Sequence, residues 1–172
     1  IVNYRTADLA VDCLRSIAAQ IAELPALHTV VVDNASGDGS VGKLLEAIDR
    51  VGELLLHGVI EETRAGGTPY VFIPLHWGLD GFMSPQNFKT FYWPGLRKVM
   101  LHLIDHDLIP VVLWEGNCNT RLEHIGDIPR GKAVYWFEQT DLLRAKEILG
   151  DTVCLRGNVP TSLLITGTPE EV

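Results

Sequence analysis

The chain has 172 residues, of which 47% are hydrophobic, and carries a formal net charge of −8. This composition supplies a hydrophobic core and excludes disorder along the whole chain. Its longest apolar runs fall far short of the roughly 18 residues that cross a membrane, and no basic stripe follows a nucleic-acid backbone. We therefore expect neither a membrane nor a nucleic acid as a partner.

The cysteines indicate the redox environment. Cys13, Cys118 and Cys154 are widely spaced and form neither a Cys-x-x-Cys pair nor a disulfide framework. Such usage is typical of a reducing compartment, where thiols stay free. The sequence therefore predicts a cytoplasmic protein.

The first forty residues have the pattern strand, helix, strand and polar turn. Ile1–Tyr4 is predicted to be a strand, and Thr6 is placed to cap a helix that Pro25 ends. The apolar residues of this helix recur at helical spacing: Leu9, Ala10, Cys13, Leu14, Ile17 and Ile21. The β-branched run Thr29–Val32 predicts a second strand, and Asp33–Ser40 predicts the turn after it.

The remaining residues alternate between helix and strand. A long helix is predicted from Val41 past Leu55, stopping near Gly66-Gly67. Pro85 is well placed to begin another helix, and Thr140 to cap a third over Asp141–Leu149, with Gly150 as the residue after it. A short helix is predicted at Thr120–Ile125. The predicted strands are Tyr70–Leu75, Pro110–Glu115, Ala133–Phe137 and Thr152–Leu155. This alternation predicts an α/β fold of six parallel strands with crossover helices.

The string from Val30 to Ser40, VVVDNASGDGS, follows the opening segment that begins Ile1-Val2-Asn3-Tyr4-Arg5. Together these segments resemble the start of family 2 glycosyltransferases, especially rhamnosyltransferase-like members. The resemblance implies that Asn3, Tyr4, Asp33 and Asn34 bind the base and ribose of a nucleotide-sugar. After residue 40 the sequence has one Asp-x-Asp, Asp105-His106-Asp107, which lies far from the segments that carry this resemblance. The residues alone favour a polar turn in which Ser40 caps the next helix.

A second resemblance begins near Val51 and covers about 115 residues. Its motifs include His76–Phe88, Phe91–Pro94, Phe137–Asp141, Ala145–Gly150, Leu155–Pro160 and Gly167–Val172. In this order and spacing they resemble the uroporphyrinogen decarboxylase superfamily. That resemblance implies a (β/α)₈ barrel, whose active groups lie at the carboxyl ends of the strands. The superfamily contains a tetrapyrrole decarboxylase and zinc-dependent methyltransferases that use corrinoids.

The resemblance to this superfamily implies a site at the strand ends. The catalytic candidates are His76, Asp80, Glu115 and Asp141, and the substrate-binding candidates are Trp77, Met83, Ser84, Asn117 and Asn158. Purely structural interpretations stand beside these roles. Asp80 and Ser84 are placed to cap the helix at Pro85, Asp141 favours the start of its own helix, and Asn158 is placed to tie down a loop.

The chain also departs from the superfamily's patterns. The decarboxylase has its key aspartate and its substrate-binding arginine in the N-terminal half of the barrel, where this chain has glycosyltransferase-like sequence. Leu113 and Glu115 stand where the methyltransferases have a His-x-Cys zinc motif, and Cys118 follows as a loop thiol. We therefore predict no metal site, and zinc or a corrinoid is implied by resemblance only.

We interpret the chain as a hybrid of two incomplete folds. Residues 1–50 form a glycosyltransferase-like start and residues 51–172 a decarboxylase-like partial barrel or an open three-layer sheet, with the junction in the helix 41–57. Three functions stay open: tetrapyrrole decarboxylation or corrinoid-linked methyl transfer, nucleotide-sugar binding, and an inactive α/β hybrid. A partial barrel exposes strand edges and half of an apolar interior, which predicts self-association.

Overall fold

The computed structural model describes residues 1–20, 29–159 and 161–170. The chain forms two compact units, an N-terminal unit of Ile1–Val59 and a C-terminal unit of Ile60–Val172. Among the described residues, no helix combines the length and the apolar character needed to cross a membrane.

Among its described residues, the N-terminal unit has two short parallel strands, one whole helix and the first part of a second helix. The strands are β1 (Val2–Asn3) and β2 (Val32–Asp33), and they pair so that Asn3 stands opposite Asp33. The helix α1 (Ala7–Ala18) follows β1, and α2 (Ser40–Ala65) follows β2.

Several details of the N-terminal unit differ from the prediction. The second strand lies at Val32–Asp33 rather than Thr29–Val32, since pairing with the short β1 sets its length. The Thr6 side chain makes no capping hydrogen bond; its hydroxyl and its N–H instead donate to the side-chain oxygen of Asn3. Ile21 and Pro25 lie outside the described residues.

The C-terminal unit is built on a four-stranded parallel sheet. Its strands are β3 (Tyr70–Leu75), β4 (Ile109–Trp114), β5 (Val134–Phe137) and β6 (Cys154–Arg156), hydrogen-bonded in the order β3-β4-β5-β6. The predicted α/β class and parallel pairing are confirmed. Neighbours that follow chain order are typical of a β/α barrel, whereas a doubly wound sheet reverses its order at a switch point.

The connection from β3 to β4 is one bent helical segment. It consists of α3 (Pro85–Asn87), a π-helical turn (Phe88–Tyr92) and α4 (Trp93–Asp105). Pro94 lacks the N–H that an α-helical hydrogen bond requires. The N–H of Trp93 donates to the carbonyl of Phe88, which is five residues earlier instead of the four of an α-helix. The helix predicted from Pro85 is therefore present, with a local widening that the proline explains.

The last connections differ from the prediction in three places. The predicted helix Thr120–Ile125 is a 3₁₀ turn at Asn119–Arg121, because Thr120 is bonded by its backbone and hydroxyl to Asp80. The helix α5 (Leu142–Leu149) is capped by Asp141 rather than Thr140, whose hydroxyl accepts a hydrogen bond from Cys118 N–H. The final helix is α6 (Thr161–Thr166).

One face of the four-stranded sheet carries the hydrophobic core. Leu75, Val112, Trp114, Tyr135 and Phe137 are buried there against the helices and connecting segments. Side chains alternate along each strand, so the residues between them point to the opposite face. We call that opposite face the inner face; its residues are Tyr70, Phe72, Pro74, Ile109, Val111, Leu113, Val134, Trp136, Cys154 and Arg156.

The inner face is only partly covered. Tyr70 and Phe72 expose 56% and 55% of their surface, respectively. The strand register aligns Phe72, Val111, Val134 and Cys154 in one row, and Pro74, Leu113, Trp136 and Arg156 in the next. These rows correspond to the side-chain layers that fill the interior of a β/α barrel.

Candidate functional site

The polar side chains at the carboxyl ends of the strands continue the rows of the inner face. Each lies two residues after the last row, and the period of two returns it to the same face. We call these four residues the rim: His76 after β3, Glu115 after β4, Glu138 after β5 and Asn158 after β6. His76, Glu115 and Asn158 were predicted site residues, and the structure brings them to one edge of the sheet.

Hydrogen bonds organise the rim. Nδ1 of His76 lies 2.6 Å from Oε2 of Glu115, and the two side chains are 55% and 35% exposed. Gly116 N–H donates to Oε2 of Glu138 at 2.7 Å, which ties the end of β4 to the end of β5. Nδ2 of Asn158 donates to the carbonyl of Thr140. This contact matches the structural interpretation, in which Asn158 ties down its loop.

Gly116 is required by this arrangement. Its φ is +67°, a backbone conformation that favours glycine. The side chain of Glu115 contacts His76, and because of the left-handed turn the backbone N–H of the next residue, Gly116, donates to Glu138. The two rim carboxylates are thus held apart on separate partners.

A concavity of about 480 Å³ lies beside the rim. Its wall includes Leu113 and Trp136 from the inner face and Glu115, Glu138 and Asn158 from the rim. The guanidinium of Arg156 stacks on Trp136, 3.9 Å above the ring centroid. An apolar floor with convergent polar groups at one end is the usual composition of a small-molecule site.

A buried arginine holds the loop that follows His76. Arg121 has no exposed surface, and its guanidinium donates to the carbonyl oxygens of Gly78, Leu79 and Met83 at 2.6–3.0 Å. Its Nε also lies 3.3 Å from Oδ1 of Asp80. This one side chain fixes the path of residues 78–83, because it bonds to both ends of that loop.

Asp80 serves this loop rather than the rim. Its carboxylate accepts from the N–H and the hydroxyl of Thr120 at 3.0 and 2.7 Å, and it pairs with Arg121. Its interpretation as a cap of the helix at Pro85 is wrong, because Ser84 accepts the hydrogen bond from Asn87 N–H there. The catalytic role of Asp80 stays a prediction, although its carboxylate is occupied by structural partners.

The other predicted residues of this unit also have structural contacts. Asp141 caps α5 by accepting from Arg144 N–H, and Asn117 accepts from Asn119 N–H. Met83 packs against the hydrophobic core, and Trp77 is 57% exposed and lies 4.7 Å from the ring of Phe82. Their roles in catalysis or substrate binding stay predictions.

The residues around Glu115 do not fit a zinc ion. Within the described part of the chain, no three or more His, Cys, Asp or Glu side chains form a group that could hold a metal. Cys118 is 1% exposed, and its burial, together with the negative charge of Asp80, raises the pKa of its thiol to about 12. A thiol with such a pKa stays protonated at neutral pH, which agrees with its interpretation as a structural loop thiol.

The predicted nucleotide-binding residues form a compact network in the N-terminal unit. Oδ1 of Asp33 accepts from Nδ2 of Asn3 and from the hydroxyl of Ser36, both at 2.6 Å, and Oδ2 accepts from Ser36 N–H at 3.1 Å. These hydrogen bonds lower the pKa of Asp33, and those from Ser36 have the largest effect. Tyr4 is 53% exposed, and Asn34 bonds through its backbone to Asn3 O. Nucleotide-sugar binding by these four residues stays a prediction.

Another concavity of about 570 Å³ lies between α1 and α2 of the N-terminal unit. Leu14, Ala18 and Ala47 contribute its apolar wall, and the Asp8–Lys43 ion pair lies at its margin. None of the predicted site residues lines it, and we do not assign it a role.

Three residues of the C-terminal unit were missed by the sequence interpretation: Arg121, Trp136 and Arg156. The period of two places Trp136, within Ala133–Phe137, and Arg156, the residue after Thr152–Leu155, on the face opposite the core, so this signal was present in the sequence. Nothing in the sequence marks Arg121 as buried, since its carbonyl partners come from a loop about forty residues away.

Comparisons with known proteins agree with this geometry. Parallel strands that pair in chain order and carry polar groups at their carboxyl ends are typical of the β/α-barrel class. The family model described as Uroporphyrinogen decarboxylase (URO-D) matches residues 43–172, and the chain belongs to this family. The predicted boundary at 50/51 stays a prediction, as the family match begins at residue 43 and the compact units divide at 59/60.

The curated relatives have the same description. Uroporphyrinogen decarboxylase of Chlorobium luteolum is 28% identical over 69% of this chain and 36% of its own length. That of Chlorobium phaeovibrioides is 34% identical over 52% of this chain and 25% of its own length. That of Psychromonas ingrahamii is 33% identical over 63% of this chain, which spans 30% of the relative. The chain therefore spans about a third or less of these relatives, and no solved structure matches it.

The hydrogen bonds from Arg121 to residues 78–83 lead to the first prediction. Replacing Arg121 with Met leaves three carbonyls and Asp80 without their partner, which we expect to lower the free energy of unfolding by about 3 kcal/mol. Denaturant unfolding measures this loss, and hydrogen exchange should show faster exchange at Phe82 N–H, which bonds to Leu79 O.

The matched control is Arg97→Met, which removes a surface arginine paired with Asp127 at 2.9 Å. We expect this change to cost less than about 1 kcal/mol, because exposed ion pairs contribute little. Equal effects of the two substitutions would contradict the special role of Arg121.

The Asp33 network generates a prediction about pH. A folded-state pKa below the unfolded value of about 3.9 gives stability that is present above that value and lost as pH falls through the folded-state pKa. Exchange of Ser36 N–H, which donates to Asp33, should therefore accelerate on acidification from about pH 6 to about pH 3 beyond the intrinsic exchange rate.

Two variants complete this experiment. Asp33→Asn should remove most of the acid-dependent acceleration at Ser36, because the amide does not titrate in this range. Asp12→Asn, on the exposed surface of α1, should leave it intact. Unchanged acid dependence in Asp33→Asn would show that another group controls this loop.

Proposed function

We propose that the C-terminal unit is a uroporphyrinogen decarboxylase-like module that binds a tetrapyrrole-type macrocycle beside the rim. The observation that carries the proposal is the arrangement of the His76–Glu115 pair at the end of the inner-face row that contains Leu113 and Trp136. The family membership and the description of the relatives support the same class of ligand.

The proposed chemistry is exchange of a carboxylate for a proton. The bond from the side-chain carbon to the carboxylate breaks, carbon dioxide leaves, and the electron pair left on carbon takes up a proton. A histidine is suited to deliver that proton because it exchanges protons readily near neutral pH. Glu115, 2.6 Å from Nδ1, orients the ring and leaves Nε2 of His76 directed away from the carboxylate.

The proposed binding mode depends on the flat face of the macrocycle. Trp136 and Leu113 offer apolar contact, and aromatic rings favour offset stacking on other flat rings. Glu115 and Glu138 at the rim repel a ligand with many carboxylates, and Arg156 is the cation stacked on Trp136 near them. We therefore expect a macrocycle with esterified side chains to bind more tightly than its free acid.

Corrinoid-linked methyl transfer is the alternative within this family resemblance. A corrinoid is also a flat macrocycle, so the same apolar wall suits it. Near Glu115, the residues that the structure describes do not supply a zinc site for the thiol substrate of such a reaction. Decarboxylation is the better-supported proposal because it requires a proton donor, which the rim offers in His76.

Binding is tested by titrating the full chain with a porphyrin, its methyl ester and cobalamin, following absorbance and tryptophan fluorescence. We expect saturable binding of the porphyrin ester, and about tenfold weaker binding to Trp136→Ala because a stacking surface is lost. Phe91→Ala removes an exposed aromatic residue outside the inner face and should bind as the wild type does. Equal affinities of the two variants would contradict the proposed site, and preference for cobalamin would favour methyl transfer.

Proton delivery is tested with uroporphyrinogen, the compound in the relatives' name, by measuring decarboxylated products. His76→Gln keeps a side chain that can bond to Glu115 but cannot deliver a proton as imidazole does, and we expect a loss of about 10²-fold or more. His102→Gln, on α4, is the control and should retain activity. The role fails if His76→Gln equals the wild type, or if the wild type forms no product.

A further inference from the structure

Two histidines lie one helical turn apart at the end of α4. His102 is in its last turn and His106 directly follows it, and a spacing of four residues puts both side chains on one face of a helix. Their ring centroids are 4.6 Å apart, with an angle of 43° between the ring planes. This end of α4 leads into the start of β4, whereas the rim lies at the carboxyl ends of the strands. The decarboxylation proposed above therefore does not use this pair.

A hydrogen bond orients the ring of His106. Its Nδ1 lies 2.8 Å from the backbone carbonyl oxygen of His102. Because a carbonyl oxygen only accepts hydrogen bonds, Nδ1 carries the proton of the neutral ring and Nε2 keeps its lone pair. Histidines that bind metals are commonly held in this way, with one ring N–H on a carbonyl or carboxylate and the other nitrogen on the metal.

The backbone that carries His106 is also fixed. Asp107 N–H donates to the carbonyl of Ile104, and Leu108 N–H donates to that of Leu103, both at 3.0 Å. Asp107 has a φ of +60°, so these two bonds form the left-handed turn that commonly ends a helix. Leu103 and Leu108 are both buried. The geometry of the histidine pair is thus set within one continuous stretch, residues 102–108.

We propose that His102 and His106 together bind a divalent transition-metal ion, such as Zn²⁺ or Cu²⁺, through one nitrogen of each ring. Imidazole suits these ions, and a zinc–nitrogen bond is about 2.0–2.1 Å long. Two such bonds at about 90–110° to each other place the ring centroids about 4.5–5 Å apart, which matches the separation of this pair. Within the described part of the chain no hydrogen bond holds the ring of His102, so this ring can turn to direct a nitrogen to the ion.

The surrounding charges favour a cation. The carbonyl end of a helix carries partial negative charge, and the pair lies at that end of α4. Asp105 and Asp107 flank His106 in the chain, and both are exposed. Arg64 of α2 also approaches this helix end, but its guanidinium donates to the backbone carbonyl of His106 at 3.2 Å. Two carboxylates and the helix end thus face one guanidinium, which is directed to the backbone.

The pair supplies two ligands, so water completes the coordination of the ion. The described residues add no third histidine, cysteine or carboxylate in a position to bind it. We therefore expect an exchangeable ion with micromolar affinity rather than the tight binding of a closed structural site. An ion that binds the folded chain raises its thermal stability, and here it would join the last turn of α4 to the residue after it.

The experiment titrates Zn²⁺ into the full chain by calorimetry and follows thermal unfolding with and without the ion. We expect Zn²⁺ to bind the wild type and to raise the midpoint of unfolding by several degrees. His102→Gln and His106→Gln should each weaken binding by about tenfold or more, because each removes one of two ligands. His57→Gln, at an exposed position on α2, and His76→Gln, at the rim, should bind as the wild type does.

Three results overturn the proposal. The first is a wild type that does not bind Zn²⁺. The second is binding that survives both His102→Gln and His106→Gln. The third is an equal loss of affinity in His76→Gln, which would place the ion at the rim with Glu115.

NMR spectra of the wild type test the site without relying on a variant's folding. Substoichiometric Cu²⁺, which is paramagnetic, should first broaden the imidazole signals of His102 and His106 among the six histidines of the chain. Without metal, the nitrogen shifts of His106 should show the tautomer that carries its proton on Nδ1. Broadening that begins at other histidines, or the opposite tautomer of His106, would overturn the proposal.

Discussion

The parallel register of β3, β4, β5 and β6 is the constraint on which the C-terminal unit depends. Because neighbouring strands are aligned and side chains alternate, each strand places every second residue on the side of the helices and the residues between them on the inner face. The same alternation carries His76, Glu115, Glu138 and Asn158 to one edge. A slip of one residue in any strand would turn its rim group toward the core side.

The loops that follow the strands need other interactions to fix their path, since they lack the backbone hydrogen bonds that join neighbouring strands. Arg121 provides it for residues 78–83 by bonding to three carbonyl oxygens and pairing with Asp80. A guanidinium is suited to this task because its five donors point in fixed directions. Burial of this cation is tolerated because carbonyl oxygens and a carboxylate satisfy it, and the ring of Phe88 lies 4.7 Å away.

The candidate site could be predicted from the sequence where its residues lie at strand ends. His76, Glu115 and Asn158 follow predicted strands, and parallel strands bring their carboxyl ends together. Asp80 and Asp141 follow the same rule but are bonded to Thr120 and Arg144 instead. A carboxylate near a helix start or a turn finds N–H donors locally, and position along the chain does not distinguish that case from a free rim group.

The sequence by itself determined the class of the fold, its parallel strands and the family resemblance of the longer segment. These features depend on local periodicity and on motif order, which are present in the chain before it folds. The sequence did not reveal that the predicted nucleotide residue Asp33 bonds to Asn3 and Ser36.

Only the tertiary structure decided which polar side chains have internal partners. It also decided that Arg156 stacks on Trp136 on the inner face, and that the six strands of the described residues divide into a pair and a set of four. The physical reason is that burial and hydrogen bonding depend on residues distant in the chain. Arg121 is an ordinary charged residue in the sequence. Only in the folded chain does it donate hydrogen bonds to the carbonyls of Gly78, Leu79 and Met83 and so hold their loop in place.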